Sequence, residues 1–139
     1  MCLVAVGSLL TSDRGRIATP KWTQDNSQTD GWFTWTIHPE SGNLNALELT
    51  FPQVHSAYPE CTESDNTNML IVRSGNSTTS PIVGAYCMHD LPASIKMTSM
   101  AARLEFHTTD AMNYGFLASY NGCKYNNYML ISVYEPSFA

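Results

Sequence analysis

Charge is scarce in this sequence: Asp, Glu, Lys and Arg make up 14% of its 139 residues, against about 25% in an average soluble chain. Lys and Arg number 7 beside 12 acidic residues, for a formal net charge of −5. That balance excludes nucleic acid as a partner, because neutralising phosphates takes clustered bases, and these are scattered. No apolar run reaches the ~20 residues that a membrane-spanning helix needs. Also missing are a CxxC pair, a histidine at zinc-finger distance, HExxH, a GxSxG elbow and the glycine patterns of nucleotide-binding loops. With them go structural zinc, metalloprotease, serine-hydrolase and dinucleotide chemistry. The acids fall mostly in turn-rich stretches, where a glycosidase pair is hard to place. His38, His55, His89 and His107 stand apart from one another and read as isolated surface histidines. The sequence therefore reads as non-enzymatic and without a cofactor.

What is present is apolar and alternating. Hydrophobic residues make up 43% of the chain and aromatics 11%, which rules out disorder. Uncharged Ser, Thr, Asn and Tyr take the place of ions on the surface, the composition of many secreted β-proteins. Apolar residues recur with period two and almost nowhere with period 3.6. Phe33, Trp35 and Ile37 share one face of a strand, with Trp32 and the threonines on the other; Leu47, Leu49 and Phe51 alternate with Glu48 and Thr50. Further strands are predicted at 69–73, 82–87, 102–107, 115–120 and 128–134. Turn clusters lie between them at 39–43, 74–76 and 110–114. Residues 97–104 are read as extended rather than helical. Short strands at such intervals predict an all-β, antiparallel two-sheet sandwich or a barrel, in a single domain over 1–139. The apolar start, Met1 to Leu10, lacks the basic region of a signal peptide and reads as the first strand of a mature chain.

Four cysteines, Cys2, Cys61, Cys87 and Cys123, allow three pairings, with two disulfides preferred over four buried thiols. Two disulfides imply an oxidising, extracellular compartment. Asn76-Ser77-Thr78 is an N-glycosylation sequon on a predicted loop tip. Trp35, Phe33 and Phe116 read as core. Trp22, on a turn, and Trp32, on the outer strand face, are candidate ligand contacts, since exposed rings bind sugars or proteins by stacking and burial; the alternative is that a neighbouring loop covers both.

Several stretches, taken in order, resemble the CUB domain family. Gly15-Arg16-Ile17-Ala18-Thr19-Pro20 is similar to the family's G-x-I-x-S-P opening. Trp35-Thr36-Ile37 is similar to its W-x-I strand, and Leu47-x-Leu49-x-Phe51 to the strand that follows. Cys87 with Leu91-Pro92, then Leu104 to Asp110, then Gly115-Phe116-Leu117-Ala118-Ser119-Tyr120 resemble its second half. The match runs from about Gly7 to Tyr120 and leaves 121–139 as an extension. The resemblance implies a jelly-roll sandwich of two antiparallel sheets, extracellular and acting by binding. It also implies that Cys61 pairs with Cys87, contributing about 3 kcal/mol on the loop-entropy estimate.

The sequence departs from the family in places. Phe33 stands where the family's second cysteine belongs, so the first family disulfide is absent, and Cys2 and Cys123 are left to pair with each other. Many CUB domains bind calcium through a Glu before the third cysteine, an Asp after it and an Asp after the Phe-x-Ser stretch. Here His55 or Ser56 takes the Glu position, Asp65 is one residue late, Asn68 stands where strand counting puts the Asp, and Asp110 is displaced by Thr109. Calcium wants six to eight oxygens with carboxylates among them; Asp65, Asp110, Glu60 and Glu63 are the candidate set, against solvated loop carboxylates.

The extension carries an uncharged, β-prone run, Met129-Leu130-Ile131-Ser132-Val133-Tyr134. Such a strand must pair to be safe from aggregation, either within its own sheet, tethered through Cys123, or by strand addition to another subunit. The sequence thus predicts a secreted, non-enzymatic module that recognises an extracellular protein or glycan; the alternative is a structural subunit forming oligomers or fibres through this strand.

Overall fold

The computed structural model describes residues 4–5, 9–23, 30–42, 44–57 and 68–124. They form ten strands: β1 (Val4–Ala5), β2 (Leu9–Leu10), β3 (Arg14–Ala18), β4 (Gly31–Ile37), β5 (Ala46–Ser56), β6 (Met69–Ser74), β7 (Ile82–Cys87), β8 (Ser94–Met97), β9 (Ala102–Thr108) and β10 (Tyr114–Cys123). The strands make two five-stranded sheets, ordered β1-β3-β10-β5-β8 and β2-β4-β9-β6-β7. The expected sandwich is therefore the observed fold. The predicted tail strand at 128–134 lies outside the described residues, as do Cys2, Cys61, Glu60, Glu63 and Asp65.

Two details differ from expectation. The N-terminal run is two short strands rather than one, and they join different sheets. Both also pair parallel to their neighbours, Val4 opposite Arg16 and Leu9 opposite Thr36. Residues 97–104 are extended as predicted, with β8 and β9 separated by a short bend.

The alternation dictates the core. Phe33, Trp35 and Ile37 of β4 meet Leu104 and Phe106 of β9, and across the gap face Leu47, Leu49 and Phe51 of β5 and Phe116 of β10. Trp35 is fully buried. Its ring meets the edge of Phe116 at 5.7 Å, and Phe51 and Phe106 approach the same ring at 5.6 Å each, all near perpendicular. This is the edge-to-face geometry that the ring quadrupole favours. A register shift near Leu117 places one extra residue of β5 opposite β10. Pro52 sits at this irregularity, a place where an interior strand tolerates proline.

Two glycines in the family-like motifs are explained by close approach. Gly15 lies directly opposite Tyr120, and a Cβ there would come within 2.7 Å of the tyrosine ring. At Gly115 a Cβ would meet the Thr19 hydroxyl at 2.1 Å. That hydroxyl is wholly buried; it accepts from the Phe116 N–H at 2.9 Å and donates to the Phe116 carbonyl at 3.2 Å. The threonine of one motif thus satisfies the backbone of the other, which buried polar groups require.

Candidate functional site

Side chains at paired positions of a sheet stand on the same face, so the register maps the outer face of the second sheet. One row runs Leu9, Thr36, Arg103, Arg73, Ile82. The next runs Thr34, Glu105, Ile71, Ala85, and the third Trp32, His107, Met69, Cys87.

Trp32 is 64% exposed. Its ring is stacked on His107 at 4.4 Å between centroids and 15° between planes. The stack holds the indole flat without covering it, so the expectation of an exposed Trp32 is met. Trp22 is different. It closes the 3₁₀ turn Pro20–Trp22, is half-buried, and its six-membered ring stands 3.3 Å from where a Gly115 Cβ would be. It packs on the first sheet through β10 while Trp32 stands on the second, so the two rings do not share a platform.

At the centre of the outer face, one carboxylate holds two guanidinium groups. Glu105 Oε1 accepts from Arg73 Nε at 3.1 Å, and Oε2 from Arg103 Nε at 2.7 Å. Arg73 Nη1 also donates to the Ser80 carbonyl at 2.9 Å. Burial of the Glu105 carboxyl works to raise its pKa, but hydrogen bonds and charge from Arg103 and Arg73 outweigh it and hold the group below its ordinary value. Sequence reasoning passed over this trio and read His107 as an isolated surface histidine. The signal was there: Arg103, Glu105 and His107 are alternate residues of one strand, and period two puts them on one face.

The candidate calcium ligands fare differently. Asn68 is buried with a positive φ of 61°, a conformation that asparagine tolerates better than most residues. Its Oδ1 accepts from the Thr108 hydroxyl at 2.6 Å and the Thr109 N–H at 3.3 Å. Asp110 sits in the turn before β10, where its Oδ2 accepts from the Asn113 amide at 2.7 Å and its carbonyl from the Asn113 and Tyr114 N–H groups. Among the described residues, no cluster of three or more His, Cys, Asp or Glu is suited to a metal ion. Of the candidate carboxylates only that of Asp110 is described; Glu60, Glu63 and Asp65 lie outside the described residues.

Asn76 is exposed on the β6–β7 turn, with Nδ2 3.4 Å from His38 Nδ1. Cys87 ends β7 and is disulfide-bonded; Cys61, which the resemblance assigns to it, lies outside the described residues. Cys123 is buried at the last pair of the β5–β10 ladder, opposite Ala46; Cys2, which the sequence leaves to pair with it, lies outside the described residues. No helix among the described residues is long and apolar enough to cross a membrane.

Comparison with known proteins gives these features a family. Residues 6–120 match the family model for the CUB domain. The chain is 30% identical to rat cubilin over 118 residues, covering 82% of the chain and 3% of that protein. It is likewise 30% identical to the Drosophila melanogaster cubilin homolog over 110 residues, 77% of the chain and 3% of the relative. The chain thus spans a small fraction of these relatives. Among solved structures it is similar to the MASP-1 CUB2 domain bound to Ca²⁺, with a TM-score of 0.64 and 20% identity, covering 84% of this chain and 99% of that one. The CUB1-EGF-CUB2 domains of rat MASP-1 align with a TM-score of 0.61 and 21% identity, over 81% of this chain and 39% of that one. At such identities the structural likeness speaks to fold, and it agrees with the sequence match: this chain belongs to the CUB domain family.

Proposed function

We propose that this chain is a secreted, non-enzymatic binding module that recognises an extracellular macromolecule, protein or glycan, through the face carrying Trp32. Family membership supports the general role, since CUB domains are in general extracellular protein-interaction modules. One observation carries the assignment to this face: a tryptophan 64% exposed is already immobilised by its stack on His107. A ring fixed before binding loses little side-chain entropy on contact, and burying it on a partner is strongly favourable. The same proposal pairs Cys61 with Cys87, treats 1–139 as one domain and places a glycan on Asn76, at an exposed turn.

The test is to probe a glycan microarray and a panel of immobilised extracellular protein ectodomains with the chain and with Trp32→Ala and Trp22→Ala. Binding is expected to fall about tenfold or more in Trp32→Ala, the effect of losing a central aromatic anchor, and to persist in Trp22→Ala. Equal binding by wild type and Trp32→Ala would remove this face from the proposal. The signal is expected to be the same in EDTA, because Asn68 replaces a carboxylate and already spends its oxygen on Thr108 and Thr109.

A second reading, self-assembly through the run Met129 to Tyr134, is supported by β7. It is an edge strand without a charged side chain, bearing exposed Ile82 and Val83, whereas edge strands are usually blunted by charge or shortness. Light scattering separates the two readings. A mass independent of concentration is expected for the recognition module, and higher species that vanish on deletion of 125–139 for the assembling subunit.

A further inference from the structure

We infer that the outer face of the second sheet is a docking surface for a partner protein that presents a carboxylate flanked by apolar side chains, with Arg103 and Arg73 receiving the carboxylate. This rests on the reading of the chain as a recognition module and names the chemistry of its partner.

The argument begins with charge. Arg73 and Arg103 are directly opposite each other on β6 and β9, an arrangement that like charges disfavour. One carboxylate, that of Glu105, lies between them and binds both through Nε. Two positive charges against one leave a local excess of +1 on a chain whose net charge is −5. The hydrogen bonding is also incomplete. Arg103 uses only its Nε, and both of its Nη groups have no partner among the described residues. Its side chain is nonetheless 20% exposed and that of Arg73 18%, so these donors stand in a partly desolvated setting, where a bidentate carboxylate is worth most.

The surroundings select the class of partner. The row through the two arginines ends in Leu9, 64% exposed, and Ile82, 56% exposed. Five strands at their usual spacing make that row about 19 Å long. Trp32 and His107 stand two rows away, about 13 Å along the strands. A central charged group that is partly desolvated, with an exposed apolar side chain at each end of its row and a tryptophan two rows away, has the composition of a protein–protein hot spot, where Trp and Arg dominate and apolar neighbours exclude water. Exposed aliphatic ends favour a protein partner over an acidic sugar, which has no aliphatic surface to match Leu9 and Ile82 together.

The experiment is selection of displayed random linear peptides against the whole chain, followed by affinity measurement of the selected peptides on Arg103→Gln, Leu9→Ser and Trp32→Ala. Near-ultraviolet circular dichroism of the buried aromatics checks that each variant is folded. Wild type is expected to enrich peptides with Asp or Glu beside Leu, Ile or Phe, and a purified representative to lose about tenfold in affinity on Arg103→Gln and on Leu9→Ser. Enrichment of peptides without acidic residues, or equal affinity for wild type, Arg103→Gln and Leu9→Ser, overturns the inference. Peptides that depend on Trp32 alone leave the recognition reading standing while this inference falls; a selection that yields no binder at all removes the inference. Binding to sulfated or sialylated oligosaccharides that is lost in Arg103→Gln but kept in Leu9→Ser overturns it too, and assigns the face to acidic sugars.

Discussion

Trp35→Ala is expected to destabilise the fold by about 3–5 kcal/mol, the range for removing a large aromatic from a packed core. The size follows from position. Trp35 is fully buried and supports Phe116, against which Phe51 and Phe106 also lean. Removing the indole takes away its burial and undermines a ring cluster that joins β4 and β9 to β5 and β10 across the interior, leaving a cavity the stiff sheets cannot collapse. Because a chain of this size has only about 5–15 kcal/mol in hand, a large part of its stability goes with one side chain. Urea unfolding followed by circular dichroism checks this through the midpoint. Trp35→Phe, which keeps a ring at the site, is expected to lose less, and a midpoint for Trp35→Ala close to wild type would show that the interior relaxes around the gap.

Glu105→Gln is expected to lower stability by about 2–3 kcal/mol, because it leaves two guanidinium groups facing each other in a half-desolvated setting without their shared counter-charge. The same carboxyl makes stability depend on pH. Its folded pKa lies below the ordinary carboxyl value, so the folded state binds the proton less readily than the unfolded chain does. The contribution is therefore fully present above the unfolded pKa of about 4.3 and is lost as pH falls through the lower, folded one. Melting midpoints measured from neutral pH downward are expected to drop in wild type over this acid range, and less steeply in Glu105→Gln. Parallel profiles would show that the acid sensitivity arises elsewhere.

Much of the architecture was legible because the alternation was clean. In β4 and β5 the inward residues, Phe33, Trp35 and Ile37, and Leu47, Leu49 and Phe51, followed from period two alone, and the motifs around Gly15, Trp35 and Gly115 gave the order in which the strands follow one another. The functional face was harder to read, for a reason that lies in topology. Arg73 and Arg103 are brought side by side by the β6–β9 ladder, and Leu9 reaches the same row through a parallel pairing that no local pattern announces.

The strand order also carries a consequence in time. β3 and β5 both pair with β10, and β4 pairs with β9, while β6 and β7 are the only successive strands among the described residues that pair antiparallel with each other. During synthesis the first half of the chain therefore emerges with no antiparallel partner; β5 gains β8 first, and β3 and the longer ladder of β5 wait for residues 114–123. Contacts of such sequence separation place the chain among slow-folding topologies. A truncation that removes β10 would leave the second sheet with all five of its strands but split the first, parting β3 from β5.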